Sequence, residues 1–197
     1  MGTRDRILDA AADIMRTDGI ARATTKEIAK RAGFSEAALY KHFDDKTEIF
    51  VAVLHERLPG LVDVLRWLQT RVGEDSVRRN LEEVVVAALA FYDESFPMLV
   101  GIFSERRLLE AHREGVRRLG AGPEIPNRAL VAYLSAERRH GRINGDADPD
   151  EVASLLLGAC LQHAFFRHFA GDPAPTGFRE TAAALVAAVT GGIEPDR

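Results

Sequence analysis

Residues Thr24–Lys46 read TTKEIAKRAGFSEAALYKHFDDK, and the order of caps and apolar side chains in this stretch decides the fold. Thr24 can accept from a free backbone N–H of a first helical turn, and Glu27, three residues on, completes a capping box. Ile28, Ala29 and Ala32 supply a small apolar face, and Gly33 permits the left-handed backbone that stops a helix. Ser35 caps a second short helix carrying Ala37, Ala38, Leu39, Tyr40 and Phe43. Asp45 and Glu48 repeat the capping-box spacing and open a third. Helix, glycine turn and short second helix make a helix-turn-helix pattern.

Upstream, Thr3 to Thr17 places Ile7, Leu8, Ala11, Ala12, Ile14 and Met15 at helical spacing, a third wall that two short helices need to enclose a core. Downstream, the helix from Asp45 meets Pro59-Gly60 and resumes with Leu61, Val64, Leu65, Trp67 and Leu68, as one kinked helix or two abutting ones. Further helices are expected over Ser76 to Glu94, from Pro97 to Leu109, from Asn127 to His140, from Asp148 to Gly171 and from Phe178 to Thr190. Pro97 suits a first turn, and residues 120–126 (GAGPEIP) form the clearest loop. The predicted fold class is all-α.

The 197 residues carry 46% hydrophobic side chains and one cysteine, Cys160, which excludes an internal disulfide framework. The polar, charged opening Met1 to Arg6 leads us to expect no signal peptide, and no uncharged apolar run reaches the roughly 20 residues of a membrane span; a cytoplasmic protein without a membrane partner is expected. The net charge of −4 is unevenly placed. From Arg22 to Lys46 there are six basic and four acidic side chains, so the excess acid lies outside the helix-turn-helix. No phosphate loop, paired-acid constellation or Ser/His/Asp arrangement marks an enzyme, and nothing calls for a cofactor. His163 and His168, five apart on one helix, face different ways and make no metal site.

The landmarks ILDAA, DGI, TTKEIAKRAG, Ser35, LYKHF and DK followed by an apolar helix resemble the DNA-binding domain of the TetR family of transcriptional regulators. The resemblance implies a helix-turn-helix domain over residues 1–57, with its motif at 24–43, and a helical effector-binding and dimerisation domain over 58–197. It implies a homodimer on a palindromic double-stranded DNA operator, most simply a repressor that a small-molecule effector releases. By position, Ser35 to His42 is the recognition helix, with Ala37 and Ala38 small enough to approach base edges. Tyr40 and Lys46 fall where the family contacts phosphate, and Thr24, Lys26, Lys41 and His42 flank them on the DNA side. Helix N-termini and Lys, Tyr, Thr and Ser groups are the usual phosphate donors. Glu36 departs from the family's basic or prolyl residue there; its carboxylate can accept from a cytosine amino group or pair with Lys41 or an arginine.

For the larger side chains in the second domain plain core packing is the default; the resemblance adds an effector pocket, with Trp67, Phe91, Phe103, Tyr133 and His163 as its expected lining. The last two helices, about 149–170 and 177–190, are the expected dimer interface because both are more apolar than a surface helix needs. The remaining alternative is a constitutive DNA-binding protein whose second domain only dimerises.

Overall fold

A computed structural model of the chain describes residues 2–58, 60–104, 106–118, 120, 122–144 and 146–191. Every regular element among them is an α-helix: α1 (Thr3–Thr17), α2 (Thr25–Ala32), α3 (Glu36–Leu39), α4 (Lys46–Glu56), α5 (Leu61–Gln69), α6 (Val77–Ser104), α7 (Arg106–Arg118), α8 (Ile125–Arg139), α9 (Pro149–Ala170) and α10 (Arg179–Thr190). They form two units, Met1–Leu58 with Glu94–Gly122, and Pro59–Asp93 with Pro123–Arg197. Residues 94–122, which the sequence reading places in the second domain, therefore belong to the unit of the helix-turn-helix.

In the first unit Ile7, Leu8, Ile14, Met15, Ile28, Leu39, Phe43, Ile49 and Phe50 are buried together, and Met98 and Ile102 of α6 join them. Each such aliphatic or aromatic side chain contributes about 1.5–3 kcal/mol by leaving water. At the edge of this core Arg57 binds Asp9 at 2.7 Å and Asp5 at 3.0 Å, while Arg4 takes Glu56 at 2.6 Å, tying α1 to the end of α4. Glycine is required at two approaches. A Cβ on Gly101 would lie 2.1 Å from Ile20 Cγ2, and one on Gly115 would lie 2.9 Å from Thr47 Cγ2.

The second unit buries Leu61, Leu65, Leu68, Leu81, Val84, Leu89, Leu130, Leu134, Leu156, Leu157, Cys160 and Val186 in one cluster. A polar knot lies within it. Tyr133 is fully buried and its hydroxyl accepts from Asn80 Nδ2 at 3.0 Å. Glu137, also fully buried, accepts from the Gly73 N–H at 3.0 Å and faces Arg142 Nε at 3.3 Å. Arg142 in turn donates to the backbone carbonyls of Glu74 and Asp75, which fastens the α5–α6 turn to this knot. Burial pushes the Cys160 thiol up to about 12, the behaviour of a small hydrophobe.

Between α4 and α5 the structure takes one of the two alternatives the sequence leaves open, and at Pro97 an expectation changes. The chain from Lys46 to Gln69 is two helices, and the proposed kink at Pro59 lies outside the described residues. Pro97 does not start a helix; it sits inside the 28-residue α6. Proline there leaves the carbonyl of Asp93, four residues earlier, without its helical donor. His168 Nε2 lies 2.9 Å from that carbonyl oxygen, and the Asp93 carboxylate pairs with Arg167 Nε beside it. By length and hydropathy α6 is apolar enough to cross a bilayer; Leu81, Val84, Val85, Ala88, Leu89, Met98 and Ile102 along it are buried, while Val100 and Phe103 are exposed.

Candidate nucleic-acid interface

The helix-turn-helix forms as its caps dictate. Thr24 Oγ1 accepts from the Glu27 N–H at 3.1 Å, and Ser35 Oγ from the Ala38 N–H at 3.2 Å. Thr24's own N–H bonds to the Arg22 carbonyl at 2.8 Å rather than to Glu27, so this capping box is half made. Gly33 adopts φ +77°, the left-handed residue that ends α2, and Phe34 N–H closes on the Ala29 carbonyl at 2.9 Å. Arg6 adds a bond from its guanidinium to the Ala32 carbonyl at 2.9 Å and covers the Phe34 ring. Asp45 Oδ1 accepts from the Glu48 N–H at 2.8 Å, while Glu48 reaches back one residue further than expected, to the Asp44 N–H at 2.6 Å.

The regular part of the recognition helix is shorter than the sequence suggests. It ends at Leu39, and the chain continues to Phe43 through bonds from His42 and Phe43 N–H to the Leu39 carbonyl. Leu39 and Phe43 point inward and are buried. Thr24, Lys26, Ser35, Glu36, Ala37, Tyr40, Lys41 and His42 are exposed, with Ala38 and Lys46 half-buried among them. The ten expected side chains thus belong to one short stretch whose opposite face is core. Tyr40 is 54% exposed and takes no part in the buried core. The Lys46 ammonium stands over the Phe50 ring, 4.8 Å from its centroid, at the N-terminus of α4.

Among the described residues Glu36 pairs with neither Lys41 nor an arginine. One carboxylate oxygen accepts from the Thr25 hydroxyl at 2.5 Å, joining the first turn of α2 to the first turn of α3. Sequence reasoning missed Thr25 because the contact spans the glycine turn, although both residues were in the quoted stretch.

The expected effector residues are not brought together. Trp67 alone of the five lines the cleft of about 360 Å³ in the second unit, with Val64, Asp75, Arg79, Asn80 and Glu83. Tyr133 is spent in the polar knot, Phe91 packs edge-to-face on Tyr92 at 5.5 Å, and His163 on Phe178 at 6.1 Å. Phe103 belongs to the first unit and is 67% exposed.

A tri-helical head with an exposed second helix, buried Leu39 and Phe43 behind it, and a lysine at the next helix start defines a helix-turn-helix transcriptional regulator. The family model described as bacterial regulatory proteins of the tetR family matches residues 7–53. The chain is 46% identical over 178 residues to the nucleoid occlusion factor SlmA of Aliivibrio fischeri, covering 86% of this chain and 85% of that one. It is 33% identical over 159 residues to the HTH-type transcriptional repressor BepR of Brucella suis, covering 79% and 75%. A crystal structure of a TetR-family transcriptional regulator from Mesorhizobium loti superposes with a TM-score of 0.73 at 21% identity, covering 98% of this chain and 97% of that one. The protein belongs to the TetR family, whose members are DNA-binding regulators and not enzymes.

Proposed function

We propose that the protein is a homodimeric repressor that binds a palindromic operator and leaves it when a small molecule occupies the second unit. The observation that carries this reading is an apolar stripe on α9. Leu155, Leu161, Phe165, Phe166 and Phe169 are exposed, Phe169 by 83%, and Gly158 keeps the surface between them low. Exposed Ala184 and Ala188 give α10 a smooth outer face as well. Large contiguous apolar surface on a monomer marks an interface, and a two-fold pairing of α9 and α10 would bury it in a self-complementary way. A two-fold dimer presents two recognition helices to half-sites about 34–36 Å apart, which is why the operator would be palindromic.

The cleft beside Trp67 falls in the volume range of small-molecule sites, and we assign the effector to it, with Trp67 as the apolar wall. To act as a switch the effector needs a differential affinity of about 1–3 kcal/mol for the two states. The repressor direction follows the printed name of the Brucella relative. DNA contact is assigned to Thr24, Lys26, Ser35, Glu36, Ala37, Ala38, Tyr40, Lys41, His42 and Lys46.

A second reading has one specific observation behind it. The Aliivibrio relative, similar along most of its length, is named a nucleoid occlusion factor, and a protein bound constitutively to DNA needs no effector. Selection of bound duplexes from a random pool, followed by mobility shifts with a small-molecule library, separates the two. A palindrome with half-sites one turn apart, released by a compound that a Trp67→Ala variant ignores, supports the first. Shifts that no compound alters support the second.

A further inference from the structure

The start of α4 is an unfavourable place for a phosphate if the helix-turn-helix is considered alone. Lys46 there is flanked by three carboxylates, those of Asp44, Asp45 and Glu48. Like charge beside a phosphate is repulsive, and a helix N-terminus offsets only about half an elementary charge. A cation arrives from elsewhere in the same unit. Gly115 lets α7 lie against Thr47 in the first turn of α4, and three residues on Arg118 ends α7 with its Nη2 3.7 Å from Asp45 Oδ2. The Asp45–Arg118 pair is loose and half-exposed on both sides, unlike the neighbouring Arg117, which holds Glu114 at 2.8 Å.

We propose that Arg118 is a second phosphate-binding side chain of the DNA interface, acting beside Lys46 from outside the helix-turn-helix. The assignment rests on the reading of the α4 N-terminus as DNA-facing. A guanidinium at this point can release Asp45, whose capping bond uses its other oxygen, and grip a phosphate in its planar fork. The DNA-binding surface then includes the end of α7, some seventy residues beyond the motif.

The test uses the full chain and a random-sequence duplex of about 30 base pairs, long enough for two half-sites. Affinity is measured against salt for the wild type, Arg118→Ala, Asp45→Asn with Arg118→Ala, and Lys46→Ala. Arg118→Ala should weaken binding about tenfold and lower the salt slope by about one unit per protomer. The lower slope should persist in the double variant, because asparagine still caps α4. A slope unchanged by Arg118→Ala, or affinity and slope both restored by Asp45→Asn, overturns the proposal and leaves Arg118 as a mere counter-charge. If Lys46→Ala also leaves the slope unchanged, the reading of the α4 N-terminus fails and the proposal falls with it.

Discussion

Gly101 of α6 meets Ile20 so closely that a single added methyl group would stand 2.1 Å from the isoleucine Cγ2. Ile20 lies in the turn after α1 and is 2% exposed, so neither partner has room to retreat. Gly101→Ala should cost about 1–3 kcal/mol as overpacking. In a chain of this size that lowers the melting temperature by several degrees, at about 2–4 °C per kcal/mol. Ile20→Ala should then cost less in the Gly101→Ala background than in the wild type. Strictly additive costs would sink the steric account.

Tyr40 offers the opposite test, a large side chain that the core does not use. Tyr40→Ala should leave the melting curve within about 0.5 kcal/mol of wild type and still weaken DNA binding. A substantial loss of stability would show that its ring is structural after all.

The α9 stripe predicts self-association. Phe166→Glu places a carboxylate in the middle of the proposed seam, and sedimentation should then find monomers that no longer hold two half-sites together. A variant that remains dimeric would remove α9 from the interface.

His112 on α7 has its Nδ1 buried without a hydrogen-bond partner among the described residues, and burial holds its pKa below the usual imidazole value of 6.5. The folded chain then takes up this proton less readily than the unfolded one. The stability from the neutral ring is present above about pH 6.5 and is lost as pH falls below it. The Asp5 and Glu56 carboxyls cannot produce this loss. Backbone and arginine bonds hold them below the ordinary carboxylate range, so they act only in stronger acid. Melting temperature should fall between pH 7 and 5.5, and His112→Gln should flatten that slope. An unchanged slope would assign it elsewhere.

The local grammar of the helix-turn-helix was legible because caps and a left-handed glycine act within four residues of themselves. Thr24, Gly33, Ser35 and Asp45 do what their side chains require wherever the rest of the chain goes. The same reasoning failed at Pro97, where the decisive partner of the freed Asp93 carbonyl, His168, is 75 positions away. It reached its limit at the aromatic side chains expected around an effector for a related reason. Spacing marks Tyr133 and Phe103 as apolar positions, but only tertiary structure tells a fully buried phenol bonded to Asn80 from a phenyl ring in the open. Glu36 lay between these cases, since its partner Thr25 was near in sequence but separated by the turn.

The first unit is assembled from two separated segments, and this sets an order of events during synthesis. When residue 58 has left the ribosome, α1 to α4 exist as sequence, but Met98, Ile102 and the α7 surface that complete their core have not been made. At roughly 5–20 residues per second, several seconds pass before α7 emerges. During that interval Ile20 lacks the glycine face it packs on, and the intervening segment, 59–93, waits in turn for α8 to α10. Each unit waits for its own second segment, so a nascent DNA-reading head closes late, after more than half the protein has been translated.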